Sequence, residues 1–157
     1  MSRIESGELS AELMKLLDGD DLDAKVGETI LLLTVSDSGW PHLAMLSVGE
    51  LVAVSPVELR MALWHGTESG ANLKRTGRAT AVIIAGGAGH YVELEVESTG
   101  DLQVADGSLD SYSCSVSKIL ADVVDYATIT TGIRFDLPQR EEVVARWRLT
   151  VAAMLSA

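Results

Sequence analysis

The chain has one cysteine, three prolines and one phenylalanine in 157 residues, and only 12 lysines plus arginines against 23 aspartates plus glutamates. A lone Cys114 cannot close an internal disulfide, which argues against a secreted, disulfide-framed scaffold and for a reducing compartment. The shortage of cations leaves a formal net charge of −11. Such a surface repels phosphodiester backbones and anionic lipid heads, so neither nucleic acid nor membrane is an expected partner. Seven aromatics (three Trp, three Tyr, one Phe) leave the core to Val, Leu, Ile, Ala and Met. The longest clearly apolar stretches, Ile30 to Leu33 and Ala79 to Ala85, fall far short of the roughly 20 residues a membrane span needs. Met1 to Gly7 is polar and acidic, unlike a secretory leader. The expectation is a soluble, cytoplasmic protein.

What is present is ordinary globular material, 47 % hydrophobic and 22 % charged. The length suits a single domain over 1–157, which would bury roughly 70 % of its unfolded surface. Leu9, Leu13, Leu16 and Leu17 recur at helical spacing, with Ser6 or Ser10 as N-cap, and predict a helix over about 6–17 that stops at Asp18-Gly19-Asp20-Asp21. Glu28 to Ser36 reads as a strand, Asp37-Ser38-Gly39 as a turn, and His42 to Val54 as a second strand bent near Gly49. Leu59 to Trp64 is a third strand and Ala71 to Arg75 a short helix. Arg78 to Ala85, nearly all apolar, is a buried strand. Gly86 to Gly89 turns the chain, and Tyr91 to Glu97 alternates Val92, Leu94, Val96 with Glu93, Glu95, Glu97. Ser117 to Tyr126 has helical spacing through Ile119, Leu120, Val123 and Val124. Ala127 to Phe135 reads as a strand broken by Gly132. A last helix covers about 138–156, with Pro138 and then Glu141 and Glu142 at its start and a stripe of Val144, Trp147, Val151 and Leu155. Together these give a mainly β, α+β fold: a barrel over about 28–135 with six antiparallel strands and peripheral helices.

Most catalytic signatures are missing. There is no G-x-x-x-x-G-K-[ST] phosphate loop, and Gly86 to Gly89 joins two strands instead of opening a helix, so it is a hairpin turn and not a dinucleotide fingerprint. Ser69 lacks the G-x-S-x-G frame. The run Asp18 to Asp23 puts Leu22 where a calcium loop needs a ligand. His42, His65 and His90 are far apart, and no metal site is expected. Cys114, among serines with Lys118 as its nearest cation, lacks the setting of a reactive thiol. No catalytic residue is legible.

One constellation has two readings. Lys74, Arg75 and Arg78 supply three of the twelve cations within five residues. Just before them stand Thr67 and Ser69, flanked by glycines, and Asn72, the chain's only asparagine. Backbone N–H groups at a helix start, hydroxyls and nearby cations form an anion site, usually for phosphate. The same residues also suit a capped helix with a basic last turn.

The stretch from Leu31 to Val96 resembles the pyridoxamine 5′-phosphate oxidase-like, FMN-binding split-barrel family. The shared order is a strand, the turn Ser38-Gly39-Trp40-Pro41-His42, a second strand, a third strand running into Gly66-Thr67 and then Asn72-Leu73, and Gly77-Arg78-Ala79 opening a fourth. The resemblance implies a six-stranded split barrel forming a homodimer, with FMN at the interface. It implies that the isoalloxazine ring lies along the second strand, His42 and Ala44 to Ser47, with Met45 and Leu46 offering backbone groups to its edge, and against Leu63 and Trp64. The phosphate then falls to Thr67, Ser69 and Asn72, with charge from Arg75 or Arg78. Two departures bear on activity. Where the oxidases carry a Ser-Arg-Lys-Ala run, this chain has Thr67-Glu68-Ser69-Gly70, and where their second strand has Arg and Lys it has Ala44 and Gly49. Each lost charge-assisted contact removes about 1.5–3 kcal/mol. Pyridoxamine phosphate oxidation itself is therefore not expected.

Three readings follow. The first is an FMN-binding protein, a flavin-dependent oxidoreductase of undefined substrate, in which the cofactor supplies the chemistry and no catalytic constellation is needed. The second is a flavin-free dimer of the same fold that binds another small anion or serves a structural role. The third is a haem-handling relative with His42 or His65 as ligand. A mean hydropathy of +0.23 in so acidic a chain adds weight to a buried subunit interface.

Overall fold

The computed structural model describes residues 2–105 and 107–157; Met1, the first residue of the stretch read above as polar and acidic, and Asp106 lie outside them. Among the described residues, eight strands form one antiparallel sheet: β1 (Ser2–Ser6), β2 (Ile30–Val35), β3 (Pro41–Leu46), β4 (Leu51–Ser55), β5 (Glu58–Leu63), β6 (Arg78–Ala85), β7 (Ala88–Val104) and β8 (Gly107–Val123). Three α-helices accompany them, α1 (Ala11–Leu16), α2 (Glu68–Thr76) and α3 (Arg140–Ser156). The path runs β3-β2-β6-β7-β8-β5-β4, and β1 pairs with the far half of β8. Strands β3 and β4 end that path yet are joined through the short Ser47–Glu50 link, so the sheet must curl until its two ends meet. The split of the barrel lies there.

Two apolar clusters hold this arrangement. Inside the barrel, Ile30 and Leu32, Leu51, Leu59 and Met61, Ala81 and Ile83, Val92 and Leu94, and Tyr112 and Cys114 pack together, with Leu13 and Leu17 of the α1 segment and Leu73 of α2 closing the ends. Outside it, Val52 of β4, Ala62 of β5 and Leu102 of β7 receive Val144, Trp147, Val151 and Met154 of α3. Because α3 covers their outer face, β4 and β5 are buried on both sides. Burial of the thiol among these side chains pushes the Cys114 pKa up to about 12.

Much of the sequence reading stands: β2, β5, β6, α2 and α3 lie where expected, and Gly86 and Gly87, both at positive φ, turn β6 into β7. Six expectations change. There are eight strands instead of six. Residues 6–17 are not one helix; Ser2–Ser6 is a strand, and α1 begins after Ser10, whose hydroxyl accepts the Leu13 N–H at 3.3 Å. His42 to Val54 is two strands, because the chain turns at Ser47–Glu50. Ser117 to Tyr126 is not a helix but largely the far half of β8, paired with β7 on one edge and β1 on the other. The ladder pairs Glu93 with Lys118 and Leu94 with Val116, which leaves Ser117 as a bulge. The residues behind the helical reading lie beyond that bulge: Ile119 and Val123 fall on one face of the strand and Leu120 on the other, and pairing on both edges leaves neither face fully exposed. Ala127 to Phe135 forms no strand; it is held by single bridges, Val124 to Ala127 and Glu28 to Arg134, by the Ile129 N–H donating to the Gly87 carbonyl at 3.2 Å, and by Arg134 donating to Glu28 and the Val26 carbonyl. On α3 the buried stripe ends in Met154, and Leu155 is exposed.

Candidate functional site

A cleft of about 710 Å³ opens where the split of the barrel meets α3. Its walls are Met45 to Ser47 at the end of β3, Gly49 and Glu50 of the turn, Trp64 beyond β5, the tip of the β7–β8 hairpin including Ser108, and Phe135, Leu137, Arg146 and Trp147 from the C-terminal part. The volume is that of a small-molecule or cofactor site. Trp64 is 66 % exposed here, a large aromatic face left to solvent. Elsewhere in the lining, Phe135 meets Trp147 edge to face with ring centroids 6.4 Å apart. Gly49 is needed for this wall, because a Cβ there would stand 2.3 Å from Trp147 Cγ.

Glu50 sets the local electrostatics. Its Oε2 accepts the Ser47 backbone N–H at 2.7 Å and the Ser47 hydroxyl at 2.9 Å. Burial raises the Glu50 pKa, opposed by these two hydrogen bonds and by the Arg146 charge.

The loop from Trp64 into α2 borders this cleft and ends in a helix start. Thr67 is the N-cap, its Oγ1 accepting the Gly70 N–H at 3.1 Å. Four side chains meet beside it. His65 Nδ1 lies 2.8 Å from Asp110 Oδ1, and His65 Nε2 lies 2.9 Å from Ser108 Oγ. Lys74 Nζ lies 3.6 Å from the other Asp110 oxygen. Asp110 is buried on β8, and the His65 ring nitrogen and the Lys74 ammonium are its polar partners there. The hydroxyl of Tyr112, two residues along the same strand, is buried without a partner, and burial and then Asp110 push its pKa up to about 12. Gly70 lets α2 settle on that hydroxyl, which would lie 3.0 Å from any Cβ at this position.

The twelve residues named from the sequence divide. Met45, Leu46, Ser47 and Trp64 come together in the cleft. Thr67 and Ser69 sit in the first turn of α2 or cap it. His42 lies on β3 and faces α2 instead, Nδ1 3.3 Å from Glu68 Oε2. Leu63 is in the barrel core, and Ala44 is half-buried on β3. Asn72 is 2 % exposed and donates to Thr34 Oγ1 of β2 at 3.0 Å, while its own oxygen accepts from Arg75 at 3.2 Å. Arg75 also donates to the Val35 carbonyl. These two therefore fasten α2 to β2. Arg78 opens β6 and borders a different groove, beside Glu93 and Glu95. Sequence reasoning missed Asp110, Ser108, Glu50 and Arg146 as neighbours of the site. Only strand register and the docking of α3 bring them there, and no local pattern signals either.

Tested against a flavin mononucleotide, the cleft fits the ring: it is mostly apolar, walled by tryptophan, and edged by the β3 backbone at Met45 to Ser47. At the phosphate end the donors are the first-turn N–H groups of α2, Thr67 and the exposed Lys74, with Glu68 and Asp110 nearby as opposing charges. The fit there is through backbone and one lysine, not through an arginine cluster.

No protein-family model matches the chain. A curated protein of Bacillus subtilis (strain 168), YclD, itself uncharacterized, is 42 % identical over 143 residues, which is 91 % of this chain and 93 % of that one. Among solved structures, a Lactobacillus delbrueckii protein named a candidate pyridoxamine 5′-phosphate oxidase superposes with a TM-score of 0.58 at 15 % identity, covering 76 % of this chain and 98 % of the other. A single-substitution variant of HupZ from Group A Streptococcus gives a TM-score of 0.56 at 11 % identity, covering 73 % and 99 %. The chain belongs to one family with YclD, and sequence order and strand topology agree with these likenesses in giving it the split-barrel fold of the pyridoxamine 5′-phosphate oxidase-like structures.

Proposed function

We propose that the protein binds FMN in the cleft at the barrel split and acts as a flavin-dependent oxidoreductase. The observation that carries this is the meeting of Met45, Leu46, Ser47 and Trp64 around one largely apolar cleft, with the chain running from Trp64 through the Thr67 cap into α2. Met45 to Ser47 would offer backbone groups to the ring edge and Trp64 would cover a ring face. Thr67, Ser69 and the first-turn N–H groups would take the phosphate with Lys74 behind them. Asn72 and Arg75 order the helix that presents those groups, and His42, Ala44 and Leu63 shape the strand ends behind the ring. A bound flavin supplies hydride and electron transfer; the chain supplies position and exclusion of water. Arg78 is too far along the chain's other groove to join them.

The functional unit in this proposal is a homodimer. β3 is an edge strand with Leu43 and Met45 exposed, and Trp40 in the preceding turn is 75 % exposed. An apolar sheet edge left open invites pairing with another chain. A second copy laid along it would cover Met45 and bring the cofactor to the interface. No helix among the described residues is long and apolar enough to cross a membrane.

A second reading, a barrel of the same fold that does without flavin, draws support from one observation. Around α2, Arg75 is engaged by Asn72 and Val35, Lys74 faces Asp110, and Glu68 is acidic. Titrating FMN and following quenching of its fluorescence separates the two. Saturable binding that weakens by tenfold or more in Trp64→Ala and in Lys74→Ala supports the flavin reading. Failure of the unaltered protein to quench FMN refutes it.

A further inference from the structure

Arg146 is placed unlike most arginines of this chain. Arg60 donates to the Met154 carbonyl, Arg75 to Asn72 and Val35, and Arg134 to Glu28. Arg140 and Arg148 both reach Asp23. Arg146 has no carboxylate within 4 Å among the described residues, although a protein of net charge −11 offers many. Glu142 lies one helical turn before it, and no ion pair forms. Instead Arg146 lines the cleft. The cleft's own carboxylate, Glu50, is turned onto Ser47, which gives it two hydrogen bonds. Arg146 is thus the one cation among the described residues that line the cleft, its guanidinium with no hydrogen-bond or close ion-pair partner there and its charge reaching Glu50 only through space.

The remaining walls specify the rest of a ligand. Trp64, Trp147 and Phe135 all line the cleft, Trp64 with its ring largely exposed. Aromatic lining favours a flat ring packed against it. A guanidinium presents a planar fork of donors that matches a carboxylate better than it matches any neutral group.

We propose that the α3 side of the cleft binds a planar aromatic carboxylate, its ring against Trp64 and Trp147 and its carboxylate on Arg146. This deepens the flavin reading, on whose cleft it rests, by naming the substrate class: a small aromatic acid laid beside the ring site. Because Arg146 projects from the helix surface and not from the buried stripe, its replacement leaves the packing of α3 intact.

The test uses 2-naphthoate and its uncharged analogue 2-naphthamide as probes, followed by quenching of tryptophan fluorescence in the full-length protein before and after FMN loading. The unaltered protein should bind the acid at least tenfold more tightly than the amide, the factor expected of one charge-assisted contact. Arg146→Gln should bring the two affinities together by weakening the acid alone, and Arg146→Lys should keep part of the preference. Equal affinity for acid and amide in the unaltered protein overturns the proposal, as does a preference that survives Arg146→Gln or the absence of binding by either probe. The flavin reading is scored separately. Arg146-dependent naphthoate binding in protein that does not retain FMN upholds this site and removes the flavin. Retained FMN with no acid preference does the reverse.

Discussion

Gly49→Ala probes how tightly the turn at the barrel split packs against α3. The new methyl would lie 2.3 Å from Trp147 Cγ, 2.4 Å from Cδ1 and 2.7 Å from Cβ. None of these atoms can yield easily. Trp147 is 7 % exposed and packs in the outer cluster with Val144, Val151 and Met154. Relief requires moving the whole helix off β4 and β5 by about an ångström or forcing the indole off its rotamer, an overpacking penalty of about 1–3 kcal/mol. At about 2–4 °C per kcal/mol for a chain of this size, Tm should fall by about 2–12 °C. Urea unfolding followed by far-ultraviolet circular dichroism gives the free energy directly. The double variant isolates the cause. In a Trp147→Ala background only the Cβ contact remains, which a small shift of α3 absorbs, so the added cost of Gly49→Ala should shrink by about 1 kcal/mol or more. Equal penalties in the two backgrounds, or no loss in Gly49→Ala alone, would refute the contact and with it the shape of the cleft.

Other outcomes follow from the same geometry. Asn72→Ala should cost about 1–3 kcal/mol in urea unfolding, because it strips the buried Thr34 hydroxyl of its partner and frees Arg75, and a loss of less than about 0.5 kcal/mol would contradict its role as a fastener. Cys114 should ignore a thiol reagent at about pH 8 in the native state and react stoichiometrically once unfolded. Both Cys114 and Tyr112 have folded pKa values raised to about 12. A raised folded value favours the protonated form, so their contribution is complete below the unfolded pKa and is lost as pH rises through the folded one. The urea midpoint should therefore fall between about pH 9 and 12 from these groups, and a flat midpoint across that window would count against it. Leu43→Lys, which charges the open β3 edge, should convert a dimer into a monomer in size-exclusion chromatography with light scattering; a wild-type monomer would remove the dimer proposal.

The parts of the fold that local pattern controls were legible. The alternation in Val92, Leu94 and Val96, the Gly86-Gly87 turn and the Thr67 cap each follow from two to four neighbouring residues. What failed depended on distant partners. The far half of β8 is paired on both edges, so Ile119, Leu120 and Val123 sit on both of its faces and read as a helix, and β1, from a segment with no strand signal, is held by its edge pairing. Of the site, Met45 to Ser47 and Trp64 were found through family order. His65 was visible only as a lone histidine, and its pairing with Asp110 and Ser108 spans 43 to 45 residues. Asn72 and Arg75 looked like ligand residues because buried fasteners and phosphate binders use the same side chains.

The central claim is retention of a flavin at the barrel split, and the absorbance spectrum of purified protein loaded with excess FMN and then desalted tests it most directly. The visible flavin bands should persist after desalting and disappear when Trp64→Ala is combined with Lys74→Ala. A colourless protein after loading would contradict the claim, and would mean that the carboxylates Glu68 and Asp110 have closed the phosphate end of this barrel to FMN.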